Sequence, residues 1–282
     1  MKTVCTVEEI RDYVHTVKAA GKTVAFVPTM GNLHEGHLTL VTKAQSLADV
    51  VIVSIYVNQM QFGPNEDFDS YPRTMAQDEA LLKELKVDRV FAPSTSIIYP
   101  EGPDNHTAIK VDALDGMHCG KSRPVFFTGI ATVVTKLLNI VQPDMAVFGE
   151  KDFQQISIIR KMVKDLYIPV EIVGAPIARS ETGLALSSRN NYLSADELEH
   201  ATLLYKQLLK AKEAILIGNT GYDIIQHDAL ADLAEYGFRP DYFNIIRRSD
   251  LQPAAPDDKE LIILAAVALG KTRLIDNLQI DL

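Results

Sequence analysis

Cysteine is scarce in this chain: its 282 residues include two, Cys5 and Cys119, far apart in sequence. They make no disulfide framework, and a reducing cytoplasm is the simple expectation. An excess of basic charge is also missing. Lys and Arg number 28 against 37 Asp and Glu, a net charge of −9, which argues against general binding of nucleic acid or of an anionic membrane. A small local basic pocket stays open to the chain. Long apolar runs are lacking too. The longest covers residues 261–269, far short of the ~20 residues that span a bilayer. The opening residues, MKTVCTVEEIRDYV, are amphipathic and mixed in charge, so no signal peptide is expected. No internal repeat or low-complexity tract stands out. What remains is an ordinary globular composition, 47% hydrophobic and 23% charged, in a length that suggests about two domains. Such a length buries on the order of three quarters of the unfolded surface.

Strand and helix signals alternate through the first two thirds. Residues 24–28 read as a strand, and 36–48 as a helix with apolar residues at 38, 41, 44, 47 and 48. Residues 50–57, VVIVSIYV, form a continuous β-branched run, the pattern of a strand buried on both faces. A polar, turn-rich loop covers 58–72, then a helix 74–85 and a short strand 89–92. Residues 93–125 read as irregular. A helix over 128–141 is stopped at Gln142-Pro143, and strand 145–148, helix 153–166 and strand 170–173 follow. The alternation predicts parallel, right-handed βαβ units. The character changes near Arg179. Residues 194–216 read as a long helix, with Ser194 as N-cap and Glu197 completing a capping box. A second helix, 222–235, and two β-rich segments, 241–247 and 260–269, come after it. The prediction is an α/β parallel-sheet domain over 1–177, a smaller α+β domain over 178–282, and a hinge over 175–193.

Four polar stretches carry candidate chemistry. In PTMGNLHEGH, residues 28–37, His34 and His37 stand three apart at a strand-to-helix turn. Two imidazoles there can ligate a metal, bind a phosphate or cap the helix. A zincin helix needs H-E-x-x-H, with histidines four apart. Here the order is H-E-G-H, with a helix-weakening glycine inside and no obvious third ligand, so no metal site is predicted. Phosphate is favoured. Open α/β sheets bind ligands at the carboxyl ends of strands, and helix N-termini attract anions. Histidine adds donors, and Gly31 and Gly36 let the backbone come close. The second stretch, FGEKDFQQ at 148–155, again follows a strand and opens a helix. Lys151 can reach a phosphate there, and Asp152 can accept a ribose hydroxyl or cap the helix. The third, GLALSSRN at 183–190, puts two hydroxyls and an arginine in a mobile loop, an anion clamp. The fourth, NQMQFG at 58–63, offers the uncharged Asn58 and Gln61 to hydroxyls or a carboxylate. Each stretch also has a plain reading as a cap, a solvated charge or a surface turn. Together they fall after strands or at the domain junction, where a ligand crevice is expected. The GKT at 270–272 looks like the tail of a P-loop, but that motif needs glycine where Ala265 stands.

PTMGNLHEGHLTLV, VIVSIYVNQMQFGPNEDFDSYPRT, FGEKDFQQ, GLALSSRNNYLS and the closing TRLIDN resemble, in order and over almost the whole chain, the pantothenate synthetase (pantoate–β-alanine ligase) family. That family lies within the wider nucleotidyltransferase-like group with an HxGH signature. The resemblance implies a Rossmann-like N-terminal domain, a smaller C-terminal lid domain and a homodimer. It implies condensation of pantoate with β-alanine, driven by ATP with Mg²⁺, to give the coenzyme A precursor pantothenate, AMP and pyrophosphate. By matching motifs, Met30, Gly31, Asn32, Leu33, His34, Glu35, Gly36 and His37 would line ATP, with His37 at the catalytic position. Gly149, Glu150, Lys151 and Asp152 would form a nucleotide-binding turn, with Lys151 on phosphate and Asp152 near the ribose. Ala178 would make a backbone contact on the adenine side, Leu186, Ser187, Ser188 and Arg189 a phosphate loop, and Arg123 would lie near the triphosphate. Gln61 and Gln155, with Asn58, would hold the substrate acid. The catalytic set is then His34, His37, Lys151 and Arg189, groups suited to positioning and charge stabilisation as a carboxylate attacks the α-phosphate. Three positions depart from the family pattern: Gln59 replaces a frequent proline, Phe126 a frequent histidine and Ala178 a common valine. None removes a group the chemistry needs. Two rivals remain. An adenylyltransferase of the wider group would leave AMP on its product, and a regulator on the same fold would bind nucleotide without turnover.

Overall fold

A computed structural model describes all residues except Pro64, Asn65 and Asp67, so part of the loop expected over 58–72 lies outside the described residues. The chain divides into two compact units: Met1–Glu150 with Gln154–Pro176, and Lys151–Phe153 with Ile177–Leu282. Among the described residues, no helix is long and apolar enough to cross a membrane.

The first unit begins with two elements that the sequence pattern did not mark, β1 (Lys2–Val4) and α1 (Val7–Ala19). A capping box between Thr6 and Glu9 starts α1, and Ile10, Val14 and Val17 are its buried stripe. Next come β2 (Val24–Thr29), α2 (Glu35–Gln45), β3 (Val50–Ile55), α3 (Met75–Glu84) and β4 (Arg89–Phe91). The segment expected to be irregular holds three one-turn helices, α4 (Thr95–Ile98), α5 (Asp112–Asp115) and α6 (Cys119–Ser122). They are too short for a helical period to register. Then α7 (Phe126–Val141), β5 (Met145–Gly149), α8 (Phe153–Asp165) and β6 (Glu171–Ala175) complete the unit.

Its six strands run parallel in the order β1-β4-β3-β2-β5-β6. Every residue of β3 is buried, as its unbroken apolar run requires. The order reverses between β2 and β5, the switch point at which open α/β sheets accept ligands. The HEGH turn leaves β2 and the GEKD turn leaves β5, so both motifs start from the two strands flanking that point.

The second unit pairs α9 (Ala195–Leu216) and α10 (Tyr222–Glu235) with an antiparallel sheet of β7 (Arg239–Arg247), β8 (Glu260–Leu269) and β9 (Thr272–Asp281). The expected Ser194–Glu197 capping box starts α9. Leu204, Leu208, Leu233, Phe243, Ile263 and Val267 belong to its apolar core. Gly270 and Lys271 form the two-residue turn between β8 and β9, with Leu269 paired to Thr272 and Gly270 at φ +57°. The GKT triplet is therefore hairpin punctuation.

Candidate active site

Between Thr29 and Glu35 the chain turns sharply, with Gly31 at φ +77° and Asn32 at +51°. A Cβ on Gly31 would lie 2.9 Å from Asp78 Oδ2 and 3.0 Å from Ile55 Cγ2, so only glycine fits. Asp78, on α3 and 1% exposed, holds this turn. Its Oδ2 accepts the Asn32 N–H at 3.0 Å and its Oδ1 the Leu33 N–H at 2.8 Å. The Thr74 hydroxyl donates to it at 3.2 Å. Sequence reasoning missed Asp78. Its signal is positional, because it stands four residues before buried Leu82 on the inward face of α3.

His34 is the N-cap of α2, and the His pair forms an imidazole capping box. The Gly36 N–H donates to His34 Nδ1 at 3.1 Å, and the His34 N–H donates to His37 Nδ1 at 3.4 Å. The rings lie 4.2 Å apart at 45°. A neutral imidazole whose Nδ1 accepts carries its proton on Nε2. Capping and phosphate reading are thus compatible: Nδ1 serves the helix, and Nε2–H is the donor end at a helix N-terminus. Glu35 and Gly36 lie in the first turn of α2. Met30 and Gly31 also line a cavity of about 280 Å³ with Tyr56, Arg73, Thr74 and Asp78.

Past β3, Asn58 is 1% exposed. Its Nδ2 donates to Gln61 Oε1 at 3.0 Å and to the Gly129 carbonyl at 3.2 Å. Its Oδ1 accepts from the Tyr99 hydroxyl at 2.9 Å and from the Met60 N–H at 3.4 Å. Every polar site of the Asn58 amide is engaged inside the protein, and what it does locally is orient Gln61 with Nε2 as the donor end. The glutamine pair on α8 divides similarly. Gln154 is buried, accepting from the Cys119 N–H at 3.1 Å and donating to the Leu114 and Met117 carbonyls at 2.9 and 2.7 Å. Gln155 is half-buried. Arg123 is held by a two-point pair with Glu66, Nε to Oε1 at 2.6 Å, and by the Gln61 carbonyl at 3.3 Å. Its guanidinium lies 3.4 Å from the centre of the Phe126 ring, so the departure at Phe126 supplies a cation–π seat. Gly149 ends β5, and Glu150 opens the 3₁₀ turn Glu150–Asp152 that carries Lys151.

In the second unit the Lys151 carbonyl accepts from Asn277 Nδ2 at 2.9 Å. The stretch expected as a mobile loop carries local backbone order. Arg179 bridges Ala185 in antiparallel fashion, and the Leu186 N–H donates to the Ala178 carbonyl at 2.9 Å. Gly183, at φ +92°, provides the bend. The backbone satisfies itself as a small hairpin, which the string of polar residues concealed. Ser187 caps the 3₁₀ helix Ser188–Tyr192, its Oγ accepting from the Arg189 N–H at 3.3 Å. Ala178 and Leu186 are thereby brought together, and Ser188 and Arg189 follow half-buried.

A family model described as pantoate–β-alanine ligase matches residues 2–279. A pantothenate synthetase from Marinobacter nauticus is 51% identical over 280 residues, covering 99% of this chain and 99% of its own. Among solved structures, a pantothenate synthetase from Thermus thermophilus superimposes with a TM-score of 0.90 at 44% identity, covering 99% of both chains. The pantoate–β-alanine ligase of Francisella tularensis, solved with β-γ ATP and β-alanine, gives 0.81 at 36% identity, covering 99% of this chain and 97% of its own. On matches of this length and identity, the chain belongs to the pantoate–β-alanine ligase family.

Proposed function

We propose that the protein condenses pantoate with β-alanine at the expense of ATP, releasing AMP and pyrophosphate through a pantoyl adenylate. The observation that carries this reading is the imidazole pair at the switch point, each ring anchored through Nδ1 to the start of α2. Two donors fixed before the substrate arrives cost no reorganisation as charge moves from the α-phosphate to the leaving pyrophosphate. The helix N-terminus adds its partial positive charge. His37 and His34 take phosphate oxygens, and Lys151 and Arg189 supply full positive charge to the same polyphosphate. Asn32 and Leu33 give their N–H groups to Asp78, so their part is to shape the turn.

Gln61 and Gln155 hold pantoate, whose hydroxyls and carboxylate suit neutral amides. Asn58 acts through Gln61. Arg123 reaches the triphosphate only by exchanging the Glu66 carboxylate for phosphate. Gly149, Glu150 and Asp152 seat the ribose side and Ala178 the adenine side, while Leu186, Ser187 and Ser188 close the phosphate loop. Mg²⁺ enters chelated to ATP, as part of the substrate. The amine of β-alanine then attacks the acyl carbon and expels AMP. The protein works as a cytoplasmic homodimer, with the residues after 177 serving as the lid. The ligands bound in the Francisella relative, β-γ ATP and β-alanine, support the choice of substrates.

Product analysis tests the reading. Pantothenate and AMP should form in equal amounts, and only with pantoate, β-alanine and MgATP all present. ADP as the product would reject adenylation, and a stable AMP-bearing product untouched by β-alanine would assign an adenylyltransferase.

A further inference from the structure

The TRLIDN motif has no part in the reaction just proposed, yet it buries polar side chains where apolar ones are the norm. Thr272, Asp276 and Asn277 on β9 are 4%, 4% and 2% exposed. Buried polar groups are retained at a cost unless they are hydrogen-bonded, and the bonds made here lead to the candidate site. Asp276 takes Arg179 in a two-point pair, Nη1 to Oδ2 at 2.6 Å and Nη2 to Oδ1 at 2.8 Å. Arg179 also donates to the Gly183 carbonyl at 3.0 Å and the Asn277 carbonyl at 3.2 Å, and it stacks 3.8 Å from the centre of the Tyr205 ring. It is the first bridged residue of the hairpin that runs on into Ser187, Ser188 and Arg189. Asn277 sends its Nδ2–H to the Lys151 carbonyl at 2.9 Å. Its own N–H donates to Asp276 Oδ1 at 2.7 Å, so the two residues are locked to each other.

We infer that Asp276 and Asn277 are positioning residues for adenylation: Asn277 sets the turn that carries Lys151, and Asp276, through Arg179, sets the loop that carries Arg189. This rests on the function proposed above. The platform is stiff, because β9 is paired with β8 along its whole length, from Thr272 to Asp281. A two-point guanidinium–carboxylate pair fixes direction as well as distance. Lys151 and Arg189, the two proposed phosphate-binding cations of the second unit, are therefore set from adjacent residues of one strand. A displacement of about 1 Å at such groups costs on the order of a hundredfold in rate.

The test reads the exchange of labelled pyrophosphate into ATP with pantoate present. Absence of exchange in the unaltered protein would reject the proposed function itself and is a separate outcome. Given exchange, Asn277→Ala should lower it by about tenfold or more, with a thermal midpoint near that of the parent. In a Lys151→Ala background the same change should add less than about twofold, because residues acting as one unit are not additive. Asp276→Asn should behave likewise against Arg189→Ala. Aminolysis of supplied pantoyl adenylate should stay near the parent rate, since no pyrophosphate is then handled. Independent, additive losses, equal losses in both half-reactions, or parental exchange in Asn277→Ala would each overturn the inference. Where Asn277→Ala does not fold, Asn277→Ser takes its place in the same cycle. If neither variant folds while Lys151→Ala does, Asn277 is a stability residue and the inference fails.

Discussion

A histidine that caps a helix and one that reads a phosphate use opposite edges of the ring, and residues 34 and 37 cap through Nδ1, so the proposed phosphate reading falls to Nε2. The two roles separate by substitution. His34→Ala loses an N-cap, about 1 kcal/mol, together with the Nε2 donor. His34→Asn restores an acceptor at the N-cap position without that donor. Thermal unfolding of His34→Asn should resemble the parent while turnover stays depressed; parental turnover would make His34 a cap and nothing more. His37→Ala should keep the fold and lower turnover by roughly two to four orders of magnitude, the range for a lost charge-stabilising donor. The adjacent glutamines on α8 give a matched pair. Gln154→Ala removes three hydrogen bonds, two of them buried, and should lower the melting temperature with little change in the pantoate KM. Gln155→Ala should do the reverse, raising the pantoate KM more than that of ATP. His34, His37, Lys151, Gln61 and Arg189 were legible as candidates because local turn chemistry marks them. Asp78 and Asp276 were not, because their partners stand 46 and 97 residues away, and a lone carboxylate on a helix or strand announces nothing.

Elements were legible where one period ran long enough. The all-buried β3, the capped α9 and the apolar β8 follow directly from their residues. β9 escaped notice because Thr272, Asp276 and Asn277 occupy buried positions and spoil the apolar alternation that marks a strand. α4, α5 and α6 span a single turn each, below any helical period. The loop after Ala178 looked irregular since its order resides in backbone bonds. That order has a consequence for exchange with solvent. The Leu186 amide, bonded to the Ala178 carbonyl, should already be protected without nucleotide, whereas amides of the segment 188–192 should gain protection on adding MgATP. Rapid exchange at Leu186 in the nucleotide-free protein would contradict the hairpin. The turn after β2 is tested by Gly31→Ala. Its Cβ would press on Asp78 and Ile55 at a left-handed φ, so both stability and adenylation should fall, measured by thermal unfolding and by AMP release.

Across the whole molecule, a chain of net charge −9 handles a polyanion, which favours local concentration of positive groups, and in the proposed reaction Mg²⁺ arrives with the substrate as its counter-ion. Removing Mg²⁺ with a chelator should abolish turnover while leaving the thermal midpoint of the nucleotide-free protein unchanged. His34, His37, Gln61 and Gln155 belong to one compact unit, Lys151 and Arg189 to the other. The role proposed for His34, His37, Lys151 and Arg189 is phosphate chemistry, with no side chain assigned to covalent capture of the acyl group, so in the proposed order the adenylate forms first and waits for the amine. The most direct measurement is the exchange of labelled pyrophosphate into ATP with pantoate present and β-alanine left out. The account predicts rapid exchange that depends on pantoate. Exchange that appears only when β-alanine is added would contradict it, because all three substrates would then have to meet before the α-phosphate is attacked.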